Sequence, residues 1–313
     1  MLGFLWYLLS LFVTVQLWKL AWRIVHIVRL HVIVPKLYPK IGWTFDLEPY
    51  KSMCVVCAGV TDGIGKAYVT ELAEKGFRNF AVIGRSRKKL EGFQRFLVAK
   101  YKAEVKLCTF DFTSTDYKPL EDFLKPMDDI GFFLYAVGIA PAAPAKFLEQ
   151  AEFSAVDCIN VNTTGYIKMV ELILPQMVAR DKGIIVSFGS MYGHRPVHMI
   201  SSYSASKAGL SFQSECLAAE YATSGLRIQC LIPNSVATKL LPGVQPDNIK
   251  VADVDMYAKS AVALIGTDSY ITGCLLHDIQ GAVLQLLPHR LAKYAYAPAL
   301  VWQAGQWGLY KNQ

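Results

Sequence analysis

The stretch Met53-Cys-Val-Val-Cys-Ala-Gly-Val-Thr-Asp-Gly-Ile-Gly-Lys66 decides the fold. Its first six residues form a short apolar run, which predicts a strand over Met53–Ala58 covered on both faces. Three glycines follow, Gly59, Gly63 and Gly65, before a helical pattern opens at Lys66. Gly59 permits a tight turn, Gly63 lets the backbone approach a pyrophosphate, and Gly65 allows close packing of helix on strand. Thr61, Asp62 and Ile64 fill the same loop, and phosphate oxygens would rest on the helix N-terminus. A glycine triplet alone is a weak sign, because glycines punctuate loops everywhere. The strand before it and the helix after it give it weight.

Outward from this unit, short apolar runs alternate with helical patterns, as βαβ units around a parallel sheet require. Strands are expected at Asn79–Gly84, Glu104–Phe110, Gly131–Val137, Gly183–Ser187 and Arg227–Ile232. Helices are expected at Lys66–Lys75, Lys88–Lys100, Lys118–Leu124, Phe153–Ala179 and Ser202–Thr223, with another near Met256–Gly266. The fold class is therefore α/β, a doubly wound parallel sheet. The second strand ends in Gly84-Arg85-Ser86-Arg87-Lys88-Lys89, with no acid before Glu91. NAD sites place Asp or Glu there for the ribose 2′-hydroxyl. Arg85, helped by Arg87 or Lys66, would instead hold a 2′-phosphate through charge-assisted hydrogen bonds, so NADP is expected.

Tyr203 and Lys207 stand four apart, on one face of a helix, in Tyr203-Ser-Ala-Ser-Lys207. No other tyrosine of the sixteen has a lysine four residues on, yet such a pair proves nothing by itself. Ser190 lies thirteen positions upstream, just beyond the fifth strand, where α/β sheets place ligand sites. Asn162 falls in the preceding helical segment, within Asn160-Val-Asn-Thr-Thr-Gly165. Ser187 and Tyr192 lack the right spacing.

In this order and spacing, the glycine loop, Asn162, Ser190, Tyr203 and Lys207 resemble the short-chain dehydrogenase/reductase superfamily over roughly residues 50–270. Thr61–Lys66, Leu174-Pro-Gln-Met-Val178 and Val236-Ala-Thr-Lys239 are similar to one subgroup. It holds the 17β-hydroxysteroid dehydrogenase type 3 and type 12 enzymes and very-long-chain 3-oxoacyl-CoA reductases. The resemblance implies a Rossmann-like fold, NADP(H) and ketone reduction. Tyr203 would donate a proton to the carbonyl oxygen, and Ser190 would hydrogen-bond the same oxygen. The Lys207 cation would lower the Tyr203 pKa and hold the nicotinamide ribose. Asn162 would order the helix and a water relay behind the lysine. Asp111 would contact adenine, Gly138 would border the cofactor, and Pro233, Val236 and Thr238 would lie near the nicotinamide. Pairing into a homodimer through the helices of Asn162 and Tyr203 is also implied. The chain departs from the family at three places. Ala58 stands for a hydroxyl residue, Tyr135-Ala136-Val137-Gly138 for Asn-Asn-x-Gly, and Asn234 for a glycine.

The 313 residues are 53% apolar and only 18% charged, with a net charge of +7, a balance that points to membrane contact. No basic block with interleaved aromatics offers a nucleic-acid groove. Seven cysteines are scattered through apolar segments. Cys54 and Cys57 form a CxxC, but on a strand they point to opposite faces, so core thiols are expected and no metal site. His194 and His198 line a substrate rim or face solvent.

Met1 to Trp22 reads as a transmembrane anchor; Met1 to Trp18 carries no charge, and Lys19, Arg23, Arg29, Lys36 and Lys40 then follow on one side only. That flank places the rest of the chain in the cytosol, in the endoplasmic reticulum membrane of the resembled subgroup. The rival, a cleaved signal peptide, lacks a basic first region and a small-x-small site. Residues 23–50 read as a basic linker, 51–270 as the catalytic domain, and 271–313 as an apolar tail at the membrane surface or packed on the core. Two functions remain: NADPH-dependent reduction of a ketone on a lipid-like substrate, or a catalytically silent, membrane-tethered NADP-binding scaffold.

Overall fold

A computed structural model describes residues 2–286 except 43, 142–143, 150–154, 242–243 and 248. Seven parallel strands form one sheet: β1 (Cys54–Ala58), β2 (Asn79–Gly84), β3 (Glu104–Thr109), β4 (Ile130–Tyr135), β5 (Gly183–Phe188), β6 (Leu226–Leu231) and β7 (Tyr270–Ile271). Their spatial order is β3-β2-β1-β4-β5-β6-β7. The order reverses between β1 and β4, which opens a crevice at the carboxyl ends of these neighbours. All residues of β1, β4 and β5 are buried, because helices cover both faces. Cys57 joins the core on one face and Cys54 the core on the other, so the CxxC thiols do not meet.

After the N-terminal helix α1 (Leu2–Val28), the domain's helices in chain order are α2 (Gly63–Glu74), α3 (Arg87–Tyr101) and α4 (Lys118–Leu124). Then come α5 (Ala155–Ile159), α6 (Gly165–Ala179), α7 (Met191–His194), α8 (Ser201–Glu220), α9 (Val254–Ala263) and α10 (Leu275–Leu286). A π-turn over Asn160–Thr164 joins α5 to α6, so the long helix expected there carries one widened turn. The first residues of that expected helix, 153 and 154, lie outside the described residues. Strand β7 is an addition to the expected six; with two residues it is too short to leave a pattern in the sequence.

The segment Gly3–Lys36 is long and apolar enough to cross a membrane, and none of its most apolar window is buried. The helix continues beyond Trp22 because nothing breaks it before Pro35; a π-turn over Arg29–Ile33 follows it. The basic stretch after the apolar run is tied to the domain. Leu30 and Val34 enter the core, Arg29 pairs with Asp268, and His31 bonds Asp278 at 2.6 Å. Phe45, Leu47 and Tyr50 pack against the same core. In the C-terminal stretch, α10 packs on the end of α1 and presents Leu275, Ile279 and Val283 outward. The later aromatics Tyr294, Tyr296, Trp302, Trp307 and Tyr310 lie outside the described residues.

Tyr135, at the end of β4, is fully buried and donates to the Val161 carbonyl in the π-turn. A Cβ on Gly165 would fall 2.4 Å from the Tyr135 hydroxyl and 2.7 Å from Phe112. Helix propensity alone favours alanine there by about 1 kcal/mol. The clash opposes it, and overpacking costs about 1–3 kcal/mol. Gly165→Ala is therefore expected to lower stability by about 1 kcal/mol or more in thermal or denaturant unfolding. A variant as stable as the parent would show that Tyr135 packs elsewhere.

Candidate active site

The glycine loop forms because two backbones meet where no side chain fits. Gly59 has φ +74°, and a Cβ there would lie 2.5 Å from the Val137 nitrogen. A Cβ on Gly65 would lie 2.5 Å from the Gly59 carbonyl and 2.9 Å from the Ala136 methyl. Asp62 caps α2 by accepting from the Gly63 amide, and Lys239 pairs with Asp62 at 2.7 Å. Burial opposes the Asp62 charge, but these hydrogen bonds prevail and hold its carboxyl below the usual range.

Three clefts join into one crevice along the carboxyl ends of the strands. At the end beside β2, a cleft of ≈ 820 Å³ is lined by Gly59, Thr61, Arg85, Ser86, Lys89 and Asp111. Asp111 is held by accepting from the Thr113 amide and hydroxyl, both at 3.0 Å. The middle cleft, ≈ 930 Å³, carries Gly63, Gly65, Gly138, Tyr203, Lys207 and Thr238. The third, ≈ 720 Å³, is walled by Ile64, Pro141, Pro144, Tyr192, Ile200 and Leu241, with Ser190 and Tyr203 facing it beside Pro233 and Val236. A dinucleotide fits this run: a Cβ-free cradle for its phosphates, a helix N-terminus above them, and cations at one end. Among the described residues, no group of three or more His, Cys, Asp or Glu could hold a metal.

The structure separates the basic residues that the sequence left together. Arg85 lines the cleft beside β2, and so does Lys89, which the sequence did not single out. Its signal was its place three residues after Ser86, whose hydroxyl accepts from the Lys89 amide. Arg87 instead pairs with Glu91 at 2.8 Å along α3. Lys66 sits over the Phe96 ring, outside the three clefts. His194 reaches the Tyr270 hydroxyl at 3.3 Å, and Ser187 bonds Ser214 inside the core at 2.8 Å.

Asn162, Ser190, Tyr203 and Lys207 come together from three elements, the π-turn, the end of β5 and α8. Ser190 follows β5 and caps α7 by accepting from the Tyr192 amide at 3.2 Å. Its hydroxyl is also near enough to the Tyr203 phenol to draw that pKa down. Lys207, one turn along α8, donates to the Phe188 carbonyl at 2.7 Å. Asn162, in the π-turn, is fully buried. Its Oδ1 accepts from the Ile139 amide at 2.8 Å, and its Nδ2 donates to the Ile139 carbonyl at 2.9 Å and to Ser206 Oγ at 2.8 Å. It thus stitches the loop after β4 to the helix of Tyr203 and Lys207.

Electrostatics here correct one expectation. Burial raises the Tyr203 pKa, with the Ser190 hydroxyl pulling the other way. Lys207 is also inside, and burial lowers its ammonium to about 8. Desolvation therefore outweighs the downward pull that the lysine charge was expected to exert on the phenol.

Residues 53–248 match the family described as short chain dehydrogenase. The chain is 36% identical over 273 residues to the Homo sapiens "inactive hydroxysteroid dehydrogenase-like protein 1", covering 85% of this chain and 80% of that protein. It is 35% identical over 236 residues to the Homo sapiens very-long-chain 3-oxoacyl-CoA reductase, covering 74% of this chain and 75% of that one. A short-chain dehydrogenase from Sphingobium yanoikuyae in complex with NADPH superposes with a TM-score of 0.63 at 25% identity, over 70% of this chain and 87% of that one.

The position of Lys207 has a measurable consequence. Below pH 8 the folded protein carries a buried cation and the full penalty of desolvating it. Above its folded pKa of about 8 the lysine is neutral in the fold, whereas the unfolded chain keeps the proton to about 10.5. Stability from this group therefore rises with pH between these values. Relative to Lys207→Met, the cofactor-free parent is expected to gain on the order of 3 kcal/mol between pH 7 and pH 10.5. Thermal unfolding of both across that range measures it, and a constant difference would place the lysine charge in solvent.

Proposed function

The chain belongs to the short-chain dehydrogenase family, and on that premise we propose that it is a membrane-anchored, NADPH-dependent reductase of a lipid-like ketone. The observation that carries this reading is the meeting of Ser190, Tyr203 and Lys207 at the junction of a dinucleotide crevice and an apolar cleft. NADP(H), when bound, supplies or accepts the hydride. Tyr203 holds its proton firmly and hands it to the carbonyl oxygen as negative charge develops there. Ser190, pinned as a helix cap, donates to that oxygen from a fixed direction. Lys207 holds the nicotinamide ribose, and Asn162 keeps the helix of Tyr203 and Lys207 in register with the loop after β4. Arg85, with Lys89, holds the 2′-phosphate.

The third cleft is walled mostly by prolines and aliphatic groups, with Tyr192, Tyr203 and the uncharged Ser190, Asn234, Ser235 and Thr238, and no charged side chain is among the residues lining it. This suits a fatty acyl chain or a steroid. The relatives named as very-long-chain 3-oxoacyl-CoA reductases favour a long-chain 3-oxoacyl-CoA, and the basic surplus of the chain favours its anionic carrier. The one-sided basic flank of α1 supports a cytosolic domain on the endoplasmic reticulum membrane. The exposed Phe212 on α8 and Val156 on α5 support a homodimer through those helices.

The silent scaffold has one support, the relative named as inactive. Against it, Tyr135 and Ala136 are absorbed by Gly165 and Gly65, and the four polar groups are assembled. Tyr203→Phe is expected to lower NADPH-dependent reduction of a long-chain 3-oxoacyl-CoA at least about 100-fold while NADPH binding persists. Equal turnover in the variant would remove Tyr203 from the chemistry, whereas no turnover in the parent despite bound NADPH would establish the scaffold. Arg85→Ala is expected to weaken NADPH about 10-fold or more and leave NADH nearly unchanged, as loss of a charge-assisted bond to the 2′-phosphate requires. Titration of both cofactors measures it.

A further inference from the structure

His277 is a fully buried histidine that the proposed chemistry does not use. It lies in the first turn of α10, its ring 5.4 Å from that of Tyr257. Nδ1 accepts from the Asn234 amide at 3.3 Å, so Nε2 carries the hydrogen and donates to the Ser235 carbonyl at 3.2 Å. Burial lowers its pKa to about 4, so this neutral tautomer persists at neutral pH. Three residues on, Gln280 accepts from Asn234 Nδ2 at 2.7 Å and donates to the Ile249 carbonyl at 2.9 Å. These two side chains grip the loop after β6 at both ends. Pro233, Val236 and Thr238 of this loop border the crevice beside Tyr203.

The same helix touches two further parts of the site. A Cβ on Gly281 would meet the Met191 methyl at 3.4 Å, so this turn lies against the residue after Ser190. Leu284 packs with Val197, Ile200 and Tyr203. On its other side, Asp278 bonds His31 at the end of the N-terminal helix. A single helix therefore connects the seat of the anchor to three walls of the catalytic crevice.

We infer that α10 is the strut that positions the cofactor loop, with His277 and Gln280 as its grips and the Asp278–His31 contact fixing it to the anchor. His277 is a positioning residue: it touches neither reactant and acts through the backbone of Asn234 and Ser235. The strut rests on the reading of the crevice as an NADPH site. Asn234 belongs to this device, because its side chain gives Gln280 a bond that the family's glycine cannot.

The test uses the full chain in detergent, with NADPH affinity read by fluorescence and the loop read without cofactor by trypsin cleavage at the exposed Lys250. His277→Gln keeps one acceptor and one donor, whereas His277→Leu keeps neither. The leucine variant is expected to bind NADPH about tenfold more weakly and to be cut faster at Lys250, two lost bonds each being worth several-fold. The glutamine variant should stay within about threefold of the parent in both readings. Asp278→Asn, which weakens the tie to His31, should shift both in the direction of the leucine variant. Unchanged affinity and cleavage in His277→Leu overturn the strut, even if its thermal midpoint falls. A parent that does not bind NADPH overturns the cofactor reading and the strut with it, a result distinguishable from the first.

Discussion

The close approach of Gly59 and Gly65 to the end of β4 is the constraint on which the site depends. A methyl group on either glycine would lie 2.5 Å from backbone atoms. Without that contact α2 could not lay its N-terminus over the crevice, and the crevice could not lie between β1 and β4. The Ala136 methyl lies 2.9 Å from where a Gly65 Cβ would stand, so it too belongs to this close approach.

A second constraint is polar. Burying Asn162, Lys207 and Ser206 is tolerable only because each has a partner. The π-turn presents Asn162 to both the loop after β4 and α8, and Tyr135 fastens that turn through the Val161 carbonyl. The tyrosine thus ties β4 to the helical layer from the place the family gives to an asparagine. The departure at Tyr135 therefore leaves a hydrogen bond there, made by a phenol.

Much of the architecture was legible because strands buried on both faces are short apolar runs, and six of seven could be placed from them. Strand β7 has two residues, and no pattern fits in two. The glycine loop, Ser190, Tyr203 and Lys207 were legible through spacing, which a helix and a strand end convert directly into proximity. Lys89 was not, since Arg85, Arg87, Lys88 and Lys89 look alike until α3 fixes which face each takes. The grip of His277 and Gln280 was hidden for another reason: it joins residues more than forty positions apart through one hydrogen-bonded loop. The upward shift of Tyr203 was missed because burial is a property of the packed fold, which residue spacing does not reveal.

The central claim is that one crevice brings a nicotinamide against a ketone beside Tyr203. Single-turnover reduction of a long-chain 3-oxoacyl-CoA and of a 17-ketosteroid with NADPH deuterated at the nicotinamide C4, read by mass spectrometry of the products, tests it most directly. The account predicts one deuterium on the carbinol carbon of one substrate, from one face of the nicotinamide only. Bound cofactor that never passes its deuterium to either ketone would contradict it.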